Sequence, residues 1–311
     1  LTFTSSNWDT PKTFTITGID DSIADGEQQA VFTVRVDDDE SHDAYDDVAN
    51  QSVTATNTDD DTVGFTLSTT SVSVTEAGGT DTFTVVLDTE PASDVVIWSA
   101  SSDSGEAQVG GGAGIGLTFT SSNWDTPQTF TITGIDDDVD DGDQQATFTV
   151  GVLNASSDDA YDDVANQSVT ATNTDDDTAG FSVSKTTFSD DASVTEGGST
   201  DMFTVVLNTE PTGDVVISVL SSDTGEATLS PSTLTFTAAN WSTPQTVTIT
   251  GVDDDIDDGD QSSTATVVVN AGSTADSVYD ALGMAPAAPI GVTTTDDDTV
   301  GFTLSTTSVS V

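Results

Sequence analysis

Three stretches of the chain concentrate carboxylates. GIDDSIADGEQQ spans 18–29, GIDDDVDDGDQQ spans 134–145 and GVDDDIDDGDQS spans 251–262. The second and third place six acids in eight residues, and the first holds four. A shorter run closes each pattern: Asp59–Asp61, Asp175–Asp177 and Asp296–Asp298. Carboxylates this dense suit two kinds of chemistry. A pair of them can exchange protons across a scissile bond. A larger group can supply the six to eight oxygens that a calcium ion takes. Left uncompensated they repel, and some must protonate.

The rest of the chain offers no compensation. Its 311 residues hold 55 Asp plus Glu against Lys12, Arg35 and Lys185, for a formal net charge of −52. Internal ion pairing cannot neutralise that charge, so cations are the natural partners. Nucleic acid and anionic membrane surfaces need basic patches and are disfavoured. No Cys is present, so disulfides and thiolate-held metals are excluded. His42 is the one histidine, which excludes a Ser–His–Asp triad or a His-ligated zinc in every unit. No apolar run reaches the ~18 residues of a membrane span, so no membrane insertion is expected.

The acidic stretches belong to a long internal repeat. LTFTSSNWDTP at 1–11 returns at 117–127, and as LTFTAANWSTP at 234–244. Residues 1–62 match 117–178 at 50 of 62 positions. DDDTVGFTLSTTSVSV at 59–74 returns unchanged at 296–311. A period of this length is a domain rather than a solenoid step. We divide the chain into the C-terminal half of a repeat (1–62), two complete repeats (63–178 and 179–299) and the first strands of a fourth (300–311). It opens in mid-pattern on Leu1 and is read as a window of a longer protein.

Within a repeat the hydrophobic period is 2. Phe83, Val85 and Leu87 alternate with polar or smaller residues, as do Phe130 with Ile132 and Phe148 with Val150 and Val152. Alternation rich in Thr and Val predicts half-buried strands. In the second repeat they fall near 64–75 in two pieces, then 81–87, 94–99, 117–121, 128–134, 144–153 and 167–173. Turn signals such as TEPASD and NWDTP separate them. The expectation is all-β: tandem antiparallel seven-stranded sandwiches of immunoglobulin-like kind, arranged as an extended rod. The acidic stretch lies between the fifth and sixth strands, and two or three residues separate each acidic run from the first apolar strand of the next repeat.

The words VTEAGGTDTFTVVL, VTEGGSTDMFTVVL, LTFTSSNWDTPQTFTITGIDDDVDDGDQQATFTV and the closing NTDDDT resemble the Calx-beta family. That family occurs in sodium–calcium exchangers and large bacterial surface proteins. The resemblance covers essentially the whole chain and implies several calcium ions at one end of each sandwich, at the repeat junction. Carried over, the implied ligands in the second repeat are Glu76, Asp103, Asp136, Asp137, the Val139 carbonyl, Asp141, Asp175, Asp176 and Asp177. In the third they are Glu196, Asp223, Asp253, Asp254, Asp258, Asp296, Asp297 and Asp298. In the half repeat they are Asp20, Asp21, Asp25, Asp59, Asp60 and Asp61. Ser22 and Ala24 stand where the second repeat has Asp138 and Asp140, so those two acids are not expected to be obligatory.

Other recurring features carry two readings each. Trp8, Trp124 and Trp241 sit in tight NW(D/S)TP turns, as packing plugs or as a sugar platform. Trp98, replaced by Ser218 in the next repeat, faces outward by alternation. The loops around Tyr45, Tyr161 and Tyr279 pack their rings on the sandwich, or reach back to the preceding repeat through Asp159, Asp162 or Asp163. Taken together, the sequence predicts a non-enzymatic, extracellular, calcium-binding stalk, matrix or filament region of a bacterial surface or secreted protein. Its partners are neighbouring repeats and other copies in a filament or matrix. The alternative is an adhesion module whose exposed loops bind carbohydrate or protein.

Overall fold

The computed structural model describes residues 1–186, 191–283 and 288–308. By its contacts the chain falls into two compact units. One holds 1–74, 78–135 and 145–173; the other holds 75–77, 136–144 and 174–311. In the half repeat, β1 (Gln28–Val34) pairs antiparallel with β2 (Gln51–Asn57). The second repeat carries β3 (Phe65–Leu67), β4 (Ser71–Thr75), β5 (Thr80–Leu87), β6 (Val95–Ser101), β7 (Ala107–Val109), β8 (Gly114–Phe119), β9 (Gln128–Gly134), β10 (Gln144–Val152) and β11 (Gln167–Thr174). The third carries β12 (Phe181–Lys185), β13 (Ala192–Thr195), β14 (Thr200–Leu207), β15 (Val215–Ser221), β16 (Ala227–Ser230), β17 (Thr233–Phe236), β18 (Gln245–Gly251), β19 (Gln261–Val269), the helix α1 (Ser277–Leu282) and β20 (Ile290–Thr295).

Each complete repeat is a two-sheet sandwich. The second has the sheets β4-β11-β10-β6-β8 and β3-β5-β9-β7, and the third repeats this order as β13-β20-β19-β15-β17 and β12-β14-β18-β16. Alternation fixes the inner faces. In β9, Phe130 and Ile132 are buried while Thr129 and Thr131 are exposed. Phe83 stacks against Phe130 with ring centroids 5.2 Å apart, and Ile97, Phe119, Phe148 and Val150 close the same core. Phe203, Ile217, Phe236, Ile249 and Val267 do so in the third repeat. Each such burial contributes about 1.5–3 kcal/mol against exposure.

The structure refines the strand reading in three ways. First, the seven expected strands become nine, because two cross between sheets. The first forms β3 and β4, the two pieces expected of it, and β7, absent from the sequence reading, pairs with β9 while β8 pairs with β6. β7 is three residues long, too short to show a period. Gly110 and Gly111, with φ of 61° and 78°, form the turn that makes its crossing. Second, pairing is not antiparallel throughout: β13 runs parallel to β20. Third, residues 1–27 form no strand, although their counterparts β8 and β9 do. Those counterparts pair with β6, β5 and β7, strands that residues 1–62 do not contain. Phe3, Trp8, Phe14 and Ile16 are accordingly exposed. Residues 300–308 also carry no strand. Their counterpart β3 pairs with β5, a strand later in its repeat. Residues 309–311 of that expected element lie outside the described residues.

Candidate metal centre

The parallel pair β13–β20 creates the carboxylate cluster. Two parallel strands end at the same edge of a sheet, and the register sets Thr195 opposite Thr295. The residues that follow therefore emerge side by side. Glu196 N–H donates to the Thr295 carbonyl at 3.2 Å. Glu196, Asp296 and Asp298 each bring a carboxylate oxygen within 4.8 Å of the others. The second repeat builds the same group. Glu76 N–H donates to the Thr174 carbonyl at 3.1 Å, and Glu76, Asp175 and Asp177 offer oxygens within 4.8 Å of one another.

The acidic loop is stitched to this edge by a pattern that occurs three times. The amides of Gly26, Gly142 and Gly259 each donate to Oδ2 of Asp59, Asp175 and Asp296 respectively, at 2.6 Å. The other oxygen of each Asp accepts from the amide two residues on, Asp61, Asp177 or Asp298, at 2.9, 2.7 and 2.8 Å. These glycines have φ of 75–76°, a region that L side chains rarely adopt. Asp21, Asp137 and Asp254 turn the loop by accepting from Ile23, Val139 and Ile256, the Asx-turn habit of aspartate. Gln28, Gln144 and Gln261 hold the carbonyls of Asp25, Asp141 and Asp258. In the half repeat Asp20, Asp21, Asp25 and Asp59–Asp61 line an open cavity of about 350 Å³.

The electrostatics follow from the crowding. Burial and then the charges of Asp175, Asp138, Asp176 and Asp136 push the Asp177 carboxyl above its ordinary range. Burial and then Asp255, Asp296, Asp297 and Asp253 do the same to Asp298, and burial with Asp59, Asp60, Asp20 and Asp21 to Asp61. Glu196 is raised by burial, Asp296, Asp254 and Asp258, against one hydrogen bond from the Asp297 amide. All the charged neighbours named for these groups are themselves acids. Glu196 is 1% exposed, and its Oε2, with Oδ2 of Asp298, is enclosed without a hydrogen bond. Two enclosed, unpartnered anionic oxygens among further carboxylates fit a hard divalent cation, which calcium's oxygen preference matches.

The structure thus gathers Glu76, Asp136, Asp175, Asp176 and Asp177 in the second repeat, and Glu196, Asp253, Asp254, Asp258, Asp296, Asp297 and Asp298 in the third. Asp103 and Asp223 each fold a turn, accepting from Gly105 and Gly225 at 2.9 Å. Asp223 also stands near Glu226. Asp138, not expected to be obligatory because Ser22 occupies its place in the half repeat, acts on Asp177, and its counterpart Asp255 acts on Asp298. Asp140 turns elsewhere: its Oδ2 accepts from the Ala179 amide at 2.7 Å, as Asp257 does from Val300. The sequence reading missed Glu226. The recurring words SDSGEA and SDTGEA at 102–107 and 222–227 were the available signal.

The other paired readings also resolve. Trp124 and Trp241 pack against the two cores. Trp98 lies outward, its Nε1 donating to the Val152 carbonyl at 3.3 Å. Tyr161 and Tyr279 are buried in their own sandwiches, each hydroxyl donating to the carbonyl of Thr89 or Thr209 at 2.7 and 2.9 Å. The acids that anchor these loops are Asp158 and Asp276. Burial opposes their charge, but hydrogen bonds from Ala160 and Ser93, or from Tyr279, Thr212 and Val278, hold both below the usual range. The TEP turns meet the preceding repeat: Glu90 N–H donates to the Ser22 carbonyl at 2.8 Å and Glu210 N–H to the Asp138 carbonyl at 2.6 Å.

No protein-family model and no curated protein matches the chain. Among solved structures, the chain is similar to the calcium-binding domain CBD12 of CALX1.1 at 15% identity and TM-score 0.32, covering 75% of this chain and 99% of that one. The apo form of the Calx CBD1 domain is matched at 18% identity and TM-score 0.27, covering 38% and 100%. Domains 5–6 of the S-layer protein SbsC are matched at 16% identity and TM-score 0.23, covering 75% and 97%.

Proposed function

We propose that these repeats are calcium-binding structural domains of a large bacterial surface or secreted protein, and that calcium stiffens the junctions between them. The observation that carries the reading is the buried Glu196 beside Asp296 and Asp298, with Oε2 of Glu196 and Oδ2 of Asp298 enclosed and without a hydrogen bond. The Calx-beta resemblance points the same way. The holding residues would be Glu196, Asp254, Asp258, Asp296 and Asp298 in the third repeat. In the second they would be Glu76, Asp136, Asp137, Asp141, Asp175 and Asp177, with the Val139 carbonyl. Several ions per junction would relieve the repulsion. We further propose an extracellular, non-enzymatic role, with neighbouring repeats and other copies in a filament or matrix as partners.

Calcium would tie each acidic loop to the run that leads into the next repeat. At 0.15 M salt the Debye length is ~8 Å, so screening alone leaves charges this close repelling. Small-angle scattering with and without chelator tests the stiffening. The expected outcome is a longer maximum dimension with calcium while the repeats stay folded in both states. An unchanged dimension would refute it.

A further inference from the structure

We propose that the open edge of β8 is a self-association surface, where a second copy of this chain adds its own β8 antiparallel and joins two five-stranded sheets into one. The proposal rests on the reading of other copies as partners and deepens it by naming the surface; it does not depend on calcium. β8 ends the sheet β4-β11-β10-β6-β8. Its register sets Ile115 opposite Ser99 and Leu117 opposite Ile97 in β6. Ser101 N–H donates to the Ala113 carbonyl at 3.0 Å, while the Val96 carbonyl turns the other way and accepts from Leu153 at 2.8 Å. Antiparallel bonding alternates along a strand, so Ala113, Ile115 and Leu117 aim their backbone groups at β6. Gly114 and Gly116 aim theirs at the open side, and both residues are exposed. One residue further the edge closes, because the Thr118 carbonyl accepts from Gln128 Nε2 at 2.9 Å.

This edge lacks the devices that guard the others. The remaining sheet-edge strands of the two complete repeats, β3, β4, β7, β12, β13, β16 and β17, have three to five residues against six in β8. β12 also carries Lys185. Counted back from the shared word LTFT, the third repeat holds Pro231 where the second holds Gly114, and proline has no N–H to offer a new strand. Residues 107–124 contain no Asp, Glu, Lys or Arg. Copies at −52 repel over most of their surface, and an uncharged edge is where two of them can approach. The edge is also self-complementary. With a two-fold axis beside Ile115, Gly114 of one copy exchanges N–H···O bonds with Gly116 of the second copy, and Gly116 does so with Gly114. Ile115, 42% exposed, then meets Ile115 of the second copy directly across the axis, and no side chain on either glycine keeps the backbones apart. One such contact is short and weak. Chains held in parallel in a filament or matrix would sum many of them.

The test uses the whole chain. Sedimentation equilibrium over a concentration series reaching the millimolar range, in calcium and in chelator, reads the association. Wild type is compared with I115K, I115E, G114P and T82K; Thr82 is exposed on β5, inside its sheet, and controls for added charge. Wild type should associate as concentration rises, and more strongly at higher salt, which screens the repulsion. I115K and I115E each set two like charges opposite one another, so each alone should lose about tenfold or more of the association constant. An equal mixture of the two should recover it, and T82K should match wild type. G114P, which copies the third repeat, should also lose it. Hydrogen exchange reads the same contact without substitution: the Gly114 and Gly116 amides should gain protection as wild type is concentrated. Wild type that stays monomeric with these amides unprotected, while still binding calcium, would overturn the proposal and leave the calcium reading standing. Association that survives in folded I115K and I115E, or that the mixture does not recover, would overturn it in favour of another surface.

Discussion

Asp137 and Asp140 lie three residues apart and do different work. Asp137 accepts from the Val139 amide inside the acidic loop, while Asp140 spends an oxygen on the Ala179 amide. Asp137→Ala should therefore weaken calcium binding far more than Asp140→Ala, measured by calorimetry. Asp140→Ala should lower the melting temperature about equally with and without calcium. The raised carboxyls set a pH dependence. Asp61, Asp177, Asp298 and Glu196 all bind protons more readily folded than unfolded. Their contribution is fully present below the ordinary carboxylate range and is lost as pH rises through the raised values. Asp158 and Asp276 work oppositely, losing their contribution only as pH falls below that range. In chelator, the melting temperature should rise on going from about pH 7 to about pH 5. In saturating calcium the gain should vanish or reverse, because protons compete with the ion.

Among the elements, the loop that holds Tyr279 is built to fix the TEP turn. The Tyr279 hydroxyl sits 2.9 Å from both the hydroxyl and the carbonyl of Thr209 and accepts from its amide at 3.2 Å. Glu210, next in the chain, donates to the Asp138 carbonyl. Removing the hydroxyl strands buried polar groups. Tyr279→Phe should cost about 1–3 kcal/mol in denaturant melts, and Tyr161→Phe should behave alike. A cost near zero would mean that water replaces the hydroxyl freely. Gly142 has a different vulnerability. Its φ of 76° brings its amide to Asp175, so Gly142→Ala should strain the loop and reduce calcium affinity with little effect on the core.

For the whole molecule, charge dominates. A chain at −52 destabilises its own compact state. Ions bound only by the folded chain stabilise it by about 2.7 kcal/mol per site at a hundredfold excess over Kd. Chelation should therefore lower the melting temperature markedly, and calcium should restore it better than magnesium, which is reluctant to shed its waters. Equal melting curves with and without chelator, and no heat of calcium binding, would refute the calcium reading at this scale.

The period-2 alternation by itself determined the strands, and the repeat by itself determined where equivalent residues lie. Both are local properties: half-buried strands must alternate, and copied segments must fold alike when their partners are present. Phe130 and Ile132 point inward for that reason, and Gly26, Gly142 and Gly259 recur because one turn requires them. What the sequence could not decide was pairing between distant strands. That β13 runs parallel to β20 follows from a strand that changes sheets, and only this brings Glu196 against Asp296. The crossing at β7, the turning away of Asp140 and the approach of Glu226 to Asp254 and Asp258 likewise depend on which segments share an edge. Strand pairing is settled by the fit of two whole sheets, a sum over many residues that no single word of the sequence contains.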